Sequence, residues 1–149
     1  MKKILIILIL SLGLIQNVNA EVKRITSGNK NAKITIIAYE SLTCSHCADF
    51  HKDIYPELKK EYLDTGLARI EFRHFPLDIA AFNAAKIAQC KQDQSLEILE
   101  SLYSNQKAWI KGSTIEEINK NLEEFIKKKG FKINYEECVN NKEIEDFVL

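Results

Sequence analysis

Apolar positions along the chain fall into three successive patterns: one unbroken run, then strand-like alternation, then helical spacing to the end. The run is Ile4 to Ile15, preceded by Lys2 and Lys3 and followed by the small-residue ending Val18-Asn19-Ala20. That three-part layout is that of a secretory signal, and the run is shorter than the roughly 17–25 residues needed to span a bilayer. Residues 1–20 are therefore expected to be a cleaved signal peptide, with a retained membrane anchor as the alternative. No cysteine stands near Ala20 to carry a lipid.

Beyond it, Lys33 to Tyr39 has the pattern of a strand, with Ile34, Ile36 and Ala38 on one face and Thr35, Ile37 and Tyr39 on the other. Apolar groups on both faces predict a central strand covered on both sides. Thr43 stands where a helix cap is expected, and Cys47, Phe50, Ile54 and Leu58 follow at helical spacing. Pro56 should kink or restart that helix, which should end by Gly66. Ala68 to Phe75 alternates, Ile70 and Phe72 against Arg69, Glu71 and Arg73, as a half-buried strand does. Strand, helix and strand make a right-handed βαβ unit with parallel strands.

After Pro76 the spacing is helical: Ala80 to Cys90, Leu96 to Ile110, Thr114 to Lys129, and a fourth helix from about Asn134. The third carries a predicted capping box of Ser113 and Glu116. Its apolar face is Ile115, Ile118, Leu122, Phe125 and Ile126, and Gly130 lies past its end. Lys127, Lys128 and Lys129 fit a solvated helix end. Trp109, Tyr103 and Leu102 fit helix packing, and His51 and His74 fit surface or packing positions.

The 149-residue length suits one domain behind the signal, and 46% hydrophobic content is that of a globular protein. Basic and acidic residues balance at 21 each, so loss of Lys2 and Lys3 leaves the chain near neutral. No basic face of the kind nucleic acid requires is indicated.

The four cysteines change the picture most, because an exported chain can keep them paired. Cys44-Ser45-His46-Cys47 follows a strand and opens a helix inside the βαβ unit, the setting of a redox-active dithiol. The unpaired amides and positive dipole at a helix start favour a thiolate at Cys44. Cys47, three residues on, shares its face and can close the disulfide, and His46 can offer the sulfur of Cys44 a positive or hydrogen-bonding group. A Cys-x-x-Cys pair is also half of a zinc site, which His46 and His51 could complete on paper, but the usual second ligand pair is missing. A purely structural disulfide is the other alternative. Cys90 and Cys138 lie in the helical region without activating neighbours. A structural bridge between them would close a loop of about fifty residues, worth about 4 kcal/mol by chain entropy; two buried free thiols are the alternative.

These residues resemble the DsbA-like periplasmic disulfide oxidoreductases, particularly the alphaproteobacterial type. The resemblance is carried by Tyr39-Glu40-Ser41-Leu42-Thr43-Cys44-Ser45-His46-Cys47-Ala48-Asp49-Phe50-His51, Tyr55-Pro56-Glu57-Leu58 and Arg73-His74-Phe75-Pro76-Leu77-Asp78. The alanine-rich segment ending in Cys90, the stretch Asn105-Gln106-Lys107-Ala108-Trp109, and Cys138 extend it. It implies an α/β, thioredoxin-like fold with an α-helical insertion: residues 21–78 as the N-terminal part of the core, residues 79–149 as the insertion. It further implies a thiol-disulfide oxidoreductase that donates disulfides to reduced exported proteins in the periplasm through Cys44 and Cys47, without a cofactor or metal. A membrane partner would re-oxidise it.

Two departures bear on that expectation. Ser45 stands where the best-known members carry proline. No proline follows Pro76, so the family's cis-proline loop, its last two core strands and its closing helix have no counterpart. The resemblance thus implies a chain truncated at its C-terminus, in which the apolar face of the strand Lys33 to Tyr39 would lack cover. That leaves open a weakly active or inactive remnant, or an isomerase or reductase.

Overall fold

The computed structural model describes residues 21–149; the expected signal peptide lies outside the described residues. Three strands form one mixed sheet in the order β1 (Ile25–Gly28), β3 (Ala68–His74), β2 (Ile34–Glu40). β3 runs parallel to β2, Ile36 beside Ile70, and antiparallel to β1, Ile25 beside Phe72. β3 is central because its alternation is cleanest: Ala68, Ile70 and Phe72 are buried on one face, while Arg69, Glu71 and Arg73 lie on the other. There Glu71 bridges Arg69 and Arg73 at 3.0 Å each, and Arg73 also donates to the Tyr39 hydroxyl at 3.1 Å. β1 was not expected from the sequence, since only Ile25 in its four residues is buried. Its end needs glycine: Gly28 has φ +95°, and a Cβ there would meet the Ala68 carbonyl oxygen at 2.7 Å.

The expectation that β2 is doubly covered is corrected. It is an edge strand among the described residues, with Ile34, Ile37 and Tyr39 exposed, and only Ile36, Ala38 and Glu40 turn toward the core. Apolar side chains on both faces show what a strand can bury, not what covers it.

From Ser45 to Leu63 the chain is one helical run with two wide turns. α1 (Ser45–Asp49) passes into a π-type turn over Phe50–Ile54, α2 (Tyr55–Leu58) restarts with Pro56 in its first turn, and a second wide turn spans Lys59–Leu63. A proline lacks the N–H for the preceding turn, so the ladder widens before it and resumes after. Tyr55 and Leu63 carry the run onto the buried sheet face.

The rest is helical: α3 (Ile79–Gln89), α4 (Glu97–Ser104), α5 (Gln106–Trp109), α6 (Ile115–Lys129), α7 (Tyr135–Val139) and α8 (Lys142–Val148). Alanines 80, 81, 84, 85 and 88 make α3 thin enough to sit at the centre, packed against α4, α6, α7 and α8. Three details differ from the sequence pattern. Leu96–Ile110 breaks at Asn105, because its side chain bonds the Ser101 carbonyl and its backbone leaves the helical region at φ −128°. The cap of α6 is Thr114, which accepts from Glu117 N, while Glu117 accepts from Ser113 N; the box is shifted one residue. The expected fourth helix is two, because Asn141 starts α8 with its own cap. Gly130 ends α6 in the left-handed conformation, φ +74°.

His74, at the end of β3, bonds Gln89 of α3 at 3.3 Å. Burial pushes its imidazole down to about 4, partly opposed by that bond. The unfolded chain gains a proton here below about pH 6.5, and the folded chain does so only near 4. The stability this group contributes is therefore complete above about pH 6.5 and lost as pH falls toward 4, by up to about 3 kcal/mol. His74→Gln should flatten that part of the profile, read from denaturant midpoints at neutral and acidic pH.

Candidate active site

β2 ends in buried Glu40 and Ser41, and a tight turn follows in which Cys44 N donates to the Ser41 carbonyl at 3.0 Å. Leu42, almost fully buried, anchors the turn. Cys44 itself is the N-cap of α1, with extended backbone (φ −77°, ψ 120°), and its carbonyl accepts from Ala48 N at 3.2 Å. Thr43, expected as the cap, is instead drawn sideways: its hydroxyl donates to Asp78 Oδ2 at 2.7 Å, and Asp78 caps α3 through Ala81 N. No side chain accepts a hydrogen bond at the start of α1, which leaves its first amides to the Cys44 sulfur.

The two thiols are half-buried and unbridged, and their environments push them apart. The Cys47 amide, then the Cys47 thiol and the His46 amide, hold Cys44 below the ordinary cysteine range against partial burial and the Asp49 charge. Burial above all raises Cys47 to about 11, with the Cys44 sulfur and Glu40 adding to the rise and the Ser41 amide opposing it.

The imidazole of His46 is solvent-exposed, with Nδ1 3.8 Å from Asp49. It is the His46 backbone amide that lowers the Cys44 thiol. His51 points inward: Nε2 lies 2.8 Å from buried Glu40 Oε2, and the ring stacks on Tyr103 at 4.2 Å. The two histidines therefore do not converge, and among the described residues no cluster of three metal-ligating side chains occurs.

Glu40 was not singled out from the sequence. Its signal was a carboxylate continuing the inward Ile36–Ala38 face of a strand. With Cys47, His46, Phe50, Tyr39 and Ala38 it lines a shallow cavity of about 270 Å³. Gln106, from α5, was also missed as a site residue; its Nε2 donates to the Leu42 carbonyl at 2.7 Å and the Cys44 carbonyl at 3.0 Å. Beside this loop the chain after β3 is tied down by Phe75 N to Glu40 O (2.7 Å) and Leu77 N to Ser41 Oγ (3.3 Å). It leaves Phe75, Leu77 and Ile79 exposed. Away from the site, Cys90 at the end of α3 is joined to fully buried Cys138 of α7, Cα atoms 5.4 Å apart.

A mixed sheet that feeds Cys-x-x-Cys into the start of a helical run, with the first thiol acidified and the second shielded, defines a dithiol protein of thioredoxin fold. A thioredoxin family model matches residues 20–149, and the chain belongs to that family. Within it the chain is similar to DsbA proteins. Wolbachia pipientis alpha-DsbA1 superimposes with a TM-score of 0.71 at 30% identity, over 85% of this chain and 64% of that one. A Rickettsia conorii protein named for protein-disulfide oxidoreductase activity is 32% identical over 125 residues, 82% of this chain and 44% of the relative. Bacillus subtilis BdbD, at 22% identity and a TM-score of 0.63, shares the fold. The chain thus spans under half the length of the rickettsial relative.

Proposed function

We propose that this chain is a thiol-disulfide oxidoreductase that passes a Cys44–Cys47 disulfide to reduced exported polypeptides. The observation that carries the proposal is the placement of the two thiols, Cys44 at the uncapped start of α1 and Cys47 shielded one turn on, which moves Cys44 down and Cys47 up. A substrate thiolate attacks the Cys44 sulfur of the oxidised pair. The Cys44–Cys47 bond breaks and Cys47 leaves, taking up a proton from water at the open cavity it lines. A second substrate thiolate attacks the substrate sulfur of the mixed disulfide, and Cys44 departs as a thiolate held by the amides of His46 and Cys47. Two electrons have passed from substrate to pair, and the substrate holds a new disulfide. Because the reduced pair contains the stabilised anion, its formation is downhill, which makes the disulfide form oxidising.

Exposed Phe75, Leu77 and Ile79 beside the redox loop suit an unfolded, apolar polypeptide as substrate. His46, at the cavity rim, meets such a chain first. In this reading residues 1–20 are a signal peptide directing the chain to the periplasm, residues 21–78 are core and 79–149 helical insertion, and a membrane protein returns the pair to its disulfide. Among the described residues no helix is long and apolar enough to cross a membrane. The exposed Ile37 and Tyr39 on the open sheet face favour a second reading, a chain that cycles slowly on its own.

Mixing the oxidised chain with a reduced, unfolded protein bearing two cysteines tests the proposal. The substrate should gain one disulfide per chain reduced, and equilibration with glutathione should favour the reduced chain. A pair that stays oxidised against glutathione would overturn the oxidase reading in favour of a reductase or isomerase; slow transfer with the same equilibrium would mark the slowly cycling chain.

A further inference from the structure

We infer that Gln106 is a positioning residue for Cys44: by holding two carbonyls of the redox loop, its side-chain amide sets how firmly the Cys44 thiolate is kept and so how oxidising the pair is. The inference rests on the redox reading above and assigns part of the control of that chemistry to the helical region.

A side-chain amide nitrogen carries two hydrogens, and Gln106 directs them at two acceptors 64 and 62 residues away in sequence, Leu42 O at 2.7 Å and Cys44 O at 3.0 Å. These carbonyls flank the reactive sulfur. The Cys44 carbonyl already accepts from Ala48 N at 3.2 Å, and Gln106 gives it a second donor while tying the Leu42 carbonyl, on the turn before the reactive sulfur, to the same amide. The same bond polarises the Cys44–Ser45 peptide at the start of α1. It also fixes the residue on which the site depends. Since α1 has no capping side chain, the aim of the His46 and Cys47 amides at the sulfur depends on the extended Cys44 backbone being held from outside. Gln106 does this from one side, as the Ser41 turn does from the other.

Gln106 is itself held rigidly. The break at Asn105 turns α5 out of the line of α4, and three residues on, Trp109 is wholly buried with Nε1 bonded to the Leu102 carbonyl at 3.0 Å. Ile110 N donates to the Gln106 carbonyl at 2.8 Å, so backbone and side chain are both engaged. A break in a helix and a buried tryptophan thus serve to present one amide to a loop in another part of the fold.

The test uses Gln106→Met, which keeps length and apolar bulk and removes both donors. The pH midpoint of Cys44 alkylation, located by mass spectrometry in the reduced chain, should rise by about half to one unit. The equilibrium with glutathione should shift about 3- to 10-fold toward the oxidised chain. Gln106→Asn, with its amide pulled back by one methylene, should fall between, and serves alone if the methionine variant does not fold. As a control, Asn83→Ala removes the Asn83–Asn119 bond within the helical region, 3.0 Å, and should leave the midpoint unchanged. An unshifted midpoint in both Gln106 variants, or an equal shift in Asn83→Ala, overturns the inference. If the wild-type midpoint itself lies in the ordinary cysteine range, the redox reading fails instead.

Discussion

Cys47→Ser should accumulate a mixed disulfide between Cys44 and a substrate cysteine, whereas Cys44→Ser should form none and lose essentially all dithiol oxidation. The asymmetry follows from the site. Cys44 presents the acidified sulfur at the N-cap, so it is the better leaving group and the atom a substrate attacks. Cys47 is held near 11 by burial and reacts mainly from within, where the effective concentration beside a mixed disulfide is high. Serine at position 47 keeps a hydroxyl donor near Cys44 but cannot release the intermediate. Non-reducing gels and intact mass of the two variants, after exposure to a substrate whose cysteine carries a glutathione disulfide, so that the Cys44 thiolate displaces glutathione thiolate, give the comparison. Equal loss in both, with no trapped species in Cys47→Ser, would mean that the sulfurs are not differentiated as the structure places them.

The paired replacement Cys90→Ala/Cys138→Ala should lower stability by about 4 kcal/mol, from the loop that the bridge closes across 48 positions. For a domain of this size that corresponds to a fall of roughly 10–20 °C in the unfolding midpoint. The bridge ties the end of α3 to α7, and Cys138 is fully buried, so the alanine pair also loses packing in the core. Single replacements would leave a lone thiol able to exchange with Cys44, which is why both are removed together. The signature is separation of effects: thermal unfolding moves, while Cys44 ionisation stays. A midpoint unchanged by the double replacement would show that the helices hold this geometry without the bridge.

The sequence spoke clearly where one residue's pattern answers to one face. Ile70 and Phe72 alternating with Arg69, Glu71 and Arg73 could only be a half-covered strand, and β3 is that strand. Pro56 marked the restart of the helical run because a missing amide acts locally. For β2 the pattern alone pointed to double cover and the implied truncation to a bare face, and the bare face is found: Ile37 and Tyr39 record a capacity for burial, and covering depends on what else is folded against them. Capping shifted by one residue at Thr114 because serine and threonine are near-equal caps and the choice is made by the following turn.

At the site, the Cys-x-x-Cys pair and its strand–turn–helix setting were legible, since the motif is contiguous. His46 was expected to turn its ring to the Cys44 sulfur and His51 to pack or lie at the surface; helix rotation against the sheet instead leaves the His46 ring exposed and brings His51 onto Glu40. Gln106 stood in a stretch that carries the resemblance, yet nothing assigned it to the site; its contacts join segments more than sixty residues apart. Tertiary hydrogen bonds from neutral side chains leave little trace in spacing or composition.

Everything above turns on the sulfur at the start of α1 ionising more readily than an ordinary cysteine. In reduced Cys47→Ser, Cys44 is the one unbridged thiol among the described residues, so ultraviolet absorbance of thiolate across a pH series reports it alone. A single step well below the ionisation of cysteine in a short peptide is the expected result. A step at or above that of the peptide would contradict it, and with it the assignment of Cys44 as the leaving group.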